Sequence, residues 1–250
     1  MDFNKCYKDN GYCRIPDFLT PRQIAFYESI IQIFHQQWLV DNAENYEQGV
    51  LNSAYITTNK PHSPLNDSQR QALFQLIASK QLTETIRPLF ANEFRFMGSQ
   101  LFFNPKNIHQ KNYWHRDGQY HLSLEEQKKA LTDSTVLHCR IALRDELGVE
   151  LVPGSHHQWD SDNELSVRMQ TDGNNNYDVL DTGNAIPLAA GDLLVFSANM
   201  IHRGLYGGDR LALDILYCDD NPELLSFRRK DCLPHSEQMK MFEVPSVFEG

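Results

Sequence analysis

Tyr113-Trp114-His115-Arg116-Asp117-Gly118 is the stretch whose residue types and spacing could do chemistry at a metal. In extended backbone alternate side chains point to the same side, so His115 and Asp117 converge while Arg116 faces away. A neutral imidazole and a carboxylate presented together are two of the three protein ligands of a non-haem Fe(II) site. Chance alone supplies about one His-x-Asp in a chain of this composition, so the pair gains meaning only from its partners.

A third ligand has to come from far along the chain. His202, in Asn199-Met200-Ile201-His202-Arg203-Gly204, follows a turn and an apolar strand, Gly191-Asp192-Leu193-Leu194-Val195-Phe196, which sets it near a strand end. Eight residues later Arg210 opens another apolar strand after the turn Gly207-Gly208-Asp209. An arginine entering a barrel beside a metal is costly unless it meets an anion, and its planar fork suits a carboxylate gripped through both oxygens. Fe(II) with three protein ligands keeps three positions open, enough for a 2-oxoacid chelate and O2.

The elements that must gather these residues are legible from texture. From Phe94 onward, residues 96–103, 136–143, 150–152, 193–196 and 211–217 are short β-prone segments separated by Gly, Pro, Asp and Asn. Helices and strands do not alternate, which argues against a doubly wound parallel sheet. The pattern predicts an all-β core with flanking helices, an antiparallel jelly roll or cupin-like barrel with N-terminal helices packed on one face. Upstream, residues 10–19 read as a strand and turn. Thr20, Pro21 and Gln23 have the form of a capping box, and Tyr27, Ile30, Ile31, Phe34 and Trp38 carry an amphipathic helix to about Val40. Asp67 is expected to cap a second helix through Leu73, Leu76 and Ile77, and Thr83 a third that Pro88 interrupts. Residues 41–66 read as a long loop, a candidate cover for the site. Residues 160–187 read as a polar insertion, and Arg228-Arg229-Lys230 as solvated surface. The expected organisation is one domain over 1–250, with 1–93 mainly helical, 94–220 the β core and 221–250 a tail.

Bulk properties narrow the partners. A net charge of −10 and a pI near 5.4 disfavour a large nucleic-acid footprint. Hydrophobic content of 41% belongs to a globular protein, and no apolar run approaches the roughly 20 residues that cross a bilayer. The first residues carry no apolar stretch suited to a signal peptide, so a cytoplasmic protein is expected, with no membrane partner. Five widely spaced cysteines without a Cys-x-x-Cys pair argue against a disulfide framework or a zinc ribbon.

Taken together, His115-x-Asp117, Leu151-Val152-Pro153-Gly154-Ser155-His156, Gly191-Asp192-x-x-x-Phe196, His202 and Arg210 resemble the phytanoyl-CoA dioxygenase family. The opening Gly11-Tyr12-Cys13-Arg14-Ile15-Pro16-Asp17-Phe18-Leu19 is similar to that family's first strand. The resemblance implies a double-stranded β-helix that uses Fe(II), with 2-oxoglutarate and O2 as cosubstrates, on a small-molecule substrate. It implies His115, Asp117 and His202 as the iron ligands and catalytic centre. Arg210 would hold the distal carboxylate of 2-oxoglutarate, with Gln100 and Arg140 as further cosubstrate contacts. Halogenating members carry a small residue in place of the carboxylate ligand, so Asp117 implies hydroxylation, with release of succinate and CO2. The chain departs from the family in three places. The interval from His202 to Arg210 is short, Gly204 stands where Ser is frequent, and Arg140 stands where Trp is frequent. Two other classes stay open: a non-catalytic cupin-like binding protein, and a metal enzyme that works without 2-oxoglutarate.

Overall fold

The computed structural model describes residues 2–50, 53–56, 63–107 and 109–250. The chain opens with a short helix, α1 (Phe3–Asn10), closed by Asp2 at its N-cap and by left-handed Gly11. No apolar stripe announces this helix, and sequence reading misses it. Strand β1 (Tyr12–Ile15) follows, then helix α2 (Pro21–Asp41), whose Thr20–Gln23 capping box forms as expected and whose Ile30, Ile31 and Phe34 are buried. The segment 41–66, expected to be loop, carries helix α3 (Ala43–Glu47) and strand β2 (Ser53–Tyr55), while residues 51, 52 and 57–62 lie outside the described residues.

Helix α4 (Asp67–Ile77) is capped by Asn66 in place of Asp67, because Asn66 and Gln69 close the reciprocal box one residue earlier. Helix α5 (Lys80–Ile86) is capped by Ser79. Thr83, the expected cap, is buried inside the helix and donates its hydroxyl to the Ser79 carbonyl. Pro88 falls in the 3-10 turn that ends it.

The remaining strands are β3 (Phe94–Phe103), β4 (Val136–Ala142), β5 (Glu146–Leu151), β6 (Asn184–Leu188), β7 (Leu193–Ser197), β8 (His202–Gly204) and β9 (Leu211–Asp219). All pairings are antiparallel, in a six-stranded sheet ordered β1-β7-β4-β9-β3-β2 and a three-stranded sheet ordered β6-β5-β8. Two helices interrupt the region expected to be purely β: α6 (Leu124–Asp133), and α7 (Asp162–Met169) within the segment read as a polar insertion. That segment also supplies β6.

Period-2 alternation decides what each face of the large sheet does. Leu137, Cys139, Ile141, Leu193, Val195, Leu211, Leu213, Ile215 and Tyr217 join one apolar core with residues of α2, α4 and α5. On the other face Ala142, Leu194 and Phe196 pack against Val149 and Leu151 of the small sheet. Burial of each such side chain contributes about 1.5–3 kcal/mol, so a one-residue slip of any strand would exchange core for site and is strongly resisted. The C-terminal tail is docked, contrary to the solvated surface expected. Phe242, Val247 and Phe248 enter the core, and the buried Arg228 guanidinium donates to the main-chain carbonyls of Phe248, Glu249 and Gly250.

Candidate metal centre

His115 and His202 face each other across an isolated antiparallel bridge. The His115 N–H donates to the His202 carbonyl at 3.0 Å, and the His202 N–H returns to the His115 carbonyl at 2.9 Å. Arg116 between His115 and Asp117 is extended (φ −109°, ψ 140°) and turns its side chain away, as alternation predicts. Its buried guanidinium pairs with buried Asp160 at 2.6 Å and donates to the carbonyls of Ser155 and Asn199. Arg168 shares the same carboxylate. This interior ion cluster pins the ligand-bearing segment to the residues leading into His202. Asp117 then opens a 3-10 turn (Asp117–Tyr120), which ends the extended run with its carboxylate beside the two imidazoles.

Asp117 Oδ1 lies 3.5 Å from Nε2 of His115 and 3.5 Å from Nε2 of His202. Metal–ligand bonds of about 2.1 Å meeting at right angles would put such atoms about 3 Å apart, close to the two Asp117–histidine separations. Among the described residues these three are the group with metal-ligating atoms so placed, all within 4.8 Å of one another. The imidazoles are set in the ligating tautomer. His115 Nδ1 faces the Tyr113 carbonyl at 3.2 Å and His202 Nδ1 the Met200 carbonyl at 3.0 Å, and a carbonyl can only accept. Each Nδ1 therefore carries the proton, and each Nε2 turns a lone pair toward Asp117. Burial and the neighbouring His115 push the His202 pKa down to about 3, so its lone pair is free at any ordinary pH. Burial alone would raise the Asp117 carboxyl, but the charge on His138 and the hydrogen bond from its Nε2 hold it well below the usual carboxylate range.

The arginine-bearing part of the site adjoins the large sheet. Gln100, Asp214 and Arg140 are direct cross-strand partners on β3, β9 and β4, so their side chains share the face that looks into the site. Arg140 forms a two-pronged buried pair with Glu146 at 2.7 and 2.9 Å. Arg210, 5% exposed, reaches the same carboxylate only at 3.8 Å, too long for a hydrogen bond. Its Nε and Nη1 have no hydrogen-bond partner among the described residues. An unmet buried donor costs about 1–3 kcal/mol, more when charged. Burial and the nearby Arg140 lower the Arg210 pKa to about 10, and it stays cationic at neutral pH. The orphaned fork calls for an anion, and the three-ligand donor set suits Fe(II), so the residues present fit both a metal and a dicarboxylate cosubstrate.

Both groups open into one cavity of about 1030 Å³, which the expected site residues His115, Asp117, His202, Arg210, Gln100 and Arg140 all line. Two of the family departures are linked. A Cβ on Gly204 would stand 2.7 Å from Arg210 Nη2, so the short hairpin lays the guanidinium where a Ser side chain would otherwise sit. Sequence reasoning left His138, Asp214 and Glu146 out of the site. The signals were present: His138 alternates with core residues of β4, and Asp214 is the lone acid of the apolar run 211–217.

A model of the phytanoyl-CoA dioxygenase (PhyH) family matches residues 7–205. The chain belongs to that family. Curated protein sequences give no match to it. The fold is also that of solved structures. HygX from Streptomyces hygroscopicus, with nickel and 2-oxoglutarate bound, is 15% identical at a TM-score of 0.61, over 86% of this chain and 85% of that one. EctD from S. alaskensis, with 2-oxoglutarate and 5-hydroxyectoine, is 16% identical at 0.57, over 86% and 75%. The non-heme alpha ketoglutarate dependent epimerase SnoN from nogalamycin biosynthesis is 17% identical at 0.55, over 89% and 87%. These neighbours share the antiparallel, cupin-like jelly roll with flanking helices. In this PhyH chain, no described helix is long and apolar enough to cross a membrane.

Proposed function

We propose that this chain is an Fe(II)- and 2-oxoglutarate-dependent oxygenase that hydroxylates a small molecule and releases succinate and CO2. His115, Asp117 and His202 hold the iron. Arg210 holds the distal carboxylate of 2-oxoglutarate, with Arg140 and Gln100 beside it. The observation that carries this reading is one cavity lined both by a three-atom ligand group and by a buried guanidinium with two unpaired nitrogens. Family membership and the 2-oxoglutarate named with HygX and EctD support it.

Bound at that face, iron would supply O2 activation coupled to oxidative decarboxylation of the 2-oxoacid. The chain's own residues do the positioning. Arg210 fixes the far end of the cosubstrate, Glu146 beside Arg140 and Arg210 offsets part of their mutual repulsion, and the main-chain carbonyls of Tyr113 and Met200 aim the two imidazoles. The cavity exceeds what 2-oxoglutarate fills and leaves room for an organic substrate of ordinary ligand size. Its mouth carries the exposed rings of Tyr55, Tyr113, Tyr120 and Phe227. Glu126, Asp133 and Glu223 outnumber Lys129 there. That charge balance favours a neutral or cationic metabolite over the phosphate-bearing tail of a CoA ester.

Anaerobic addition of Fe(II) and 2-oxoglutarate should give a weak visible charge-transfer band that Asp117→Ala and His202→Ala abolish. Absence of the band in the wild type, or its survival in both variants, would overturn the assignment. Steady succinate release argues against a non-catalytic binding protein, and loss of that release in Arg210→Ala against a metal enzyme that needs no 2-oxoglutarate. A second outcome at the same centre, hydrogen removal without oxygen insertion, is favoured by the epimerase SnoN and the carbocyclase SnoK among proteins of this fold. Labelled O2 separates the two: hydroxylation carries the label into product, epimerisation does not.

A further inference from the structure

Asp117 offers two oxygens, and the structure treats them differently. Oδ1 stands 3.5 Å from both histidine Nε2 atoms, on the ligand face. Oδ2 is engaged elsewhere, at 2.8 Å from Nε2 of His138. His138 is itself held from behind. Its Nδ1 lies 2.9 Å from Oδ2 of Asp214, a carboxylate 2% exposed on the neighbouring strand β9. Its ring lies flat on Phe196, with centroids 4.4 Å apart and planes 6° from parallel. The imidazole is thus held from three sides, by Phe196 on β7, by Asp214 on β9 and by Asp117 at the start of the 3-10 turn.

We propose that His138, backed by Asp214, is a positioning residue that holds Asp117 to one-oxygen coordination. A carboxylate free to rotate can close both oxygens onto a metal and fill two positions. With two histidines, a two-oxygen Asp117 would leave two of six positions, which a 2-oxoacid chelate fills completely, with none left for O2. Occupation of Oδ2 by the His138 N–H removes that option and keeps the third position open. The same bond orients the ligand, as partners of metal-bound carboxylates generally do. Asp214 has a separate part: it stops the imidazole from turning its Nε2 off Asp117.

This inference rests on the metal site proposed above, and the test separates the two. Co(II) serves as a spectroscopic probe, titrated into the metal-free protein with its visible absorption followed, and 2-oxoglutarate is then titrated into the Co(II) form. His138→Phe keeps a flat ring on Phe196 and deletes both hydrogen bonds. His138→Gln keeps a side-chain N–H within reach of Asp117. We expect His138→Phe to change the Co(II) absorption envelope and to weaken Co(II) binding about 10- to 100-fold, the range typical for loss of a partner to a metal ligand. 2-Oxoglutarate binding to the Co(II) form should weaken as well, and His138→Gln should recover most of both losses. Asp214→Asn should give the same change in smaller measure. Circular dichroism and the melting temperature of the metal-free variants report the fold. If His138→Phe fails to fold, Asp214→Asn and His138→Gln carry the decision.

Variants that fold like the wild type, keep its Co(II) spectrum and bind Co(II) and 2-oxoglutarate within about twofold would overturn the proposal while leaving the metal site standing. A wild type that binds no Co(II) would overturn both.

Discussion

Gly204→Ala tests the cosubstrate anchor without touching a ligand or the anchor itself. The added Cβ would lie 2.7 Å from Arg210 Nη2 and 3.4 Å from both Cζ and Nη1. Ordinary contact begins near 3.4 Å, so the guanidinium has to retreat by about 0.7 Å. The clash is with the far end of a long side chain, and Gly204 sits in β8 without a left-handed φ, so the backbone need not move. The fold should hold, with a melting temperature within about 2 °C of wild type, since a change that strains no backbone and empties no core stays within about 0.5 kcal/mol. Arg210 cannot retreat freely. It is boxed by the rings of Tyr206 and Phe102, at 5.3 and 5.8 Å from Cζ, and by Arg140. A misplacement of about 1 Å can cost about 100-fold in a positioned contact, so 0.7 Å should weaken 2-oxoglutarate about tenfold, or about 1.4 kcal/mol. The assay is anaerobic titration of 2-oxoglutarate into the Fe(II) protein, followed by the charge-transfer band, with an independent Fe(II) titration. A tenfold rise in the 2-oxoglutarate dissociation constant with unchanged Fe(II) affinity is the expected pair of results. Unchanged 2-oxoglutarate affinity in a folded variant would refute Arg210 as the anchor.

Arg210→Ala removes the fork outright. With about 1.5–3 kcal/mol for each charge-assisted hydrogen bond, 2-oxoglutarate affinity should fall at least 100-fold by the same titration. Arg116→Met takes one of two guanidiniums from buried Asp160 and should lower stability by about 3 kcal/mol in urea unfolding, since one partner of an interior ion pair is lost. Removal of the metal with a chelator should lower the melting temperature by mass action, about 2.7 kcal/mol at a metal concentration 100 times the dissociation constant, while circular dichroism stays that of the native protein.

The β strands and the helical face were legible because their patterns are regular. Leu211, Leu213, Ile215 and Tyr217 alternate as a strand must, and Ile30, Ile31 and Phe34 recur at helical spacing. The spacing of His115 and Asp117 foretold their convergence, and the buried Arg116 between them bears out the alternation. What the sequence hid was set by tertiary contact. Helix α1 meets the core only through half-buried Phe3 and Tyr7, and β2 is a strand only because β3 lies beside it. The tail looked solvated because Arg228 is charged, yet three main-chain carbonyls meet its guanidinium. His138 is one imidazole among ten in the sequence, and only the diagonal contact between β4 and β9 and the approach of the Asp117 turn reveal that carboxylates flank it. Cap positions slipped for a local reason: Asn66 and Asp67 are both good caps, and the register of Gln69 chooses between them.

The main-chain bridge between His115 and His202 has a consequence for how the site comes into being. The two imidazoles belong to segments roughly ninety residues apart, and closing so long a loop around a free ion would cost about 4 kcal/mol of chain entropy. Here the closure is made by two peptide hydrogen bonds of the main chain, which draw on no side chain of the site. Binding would then have only side chains left to arrange. An ion held at that site would meet a backbone already closed around it, so its capture would cost little chain entropy.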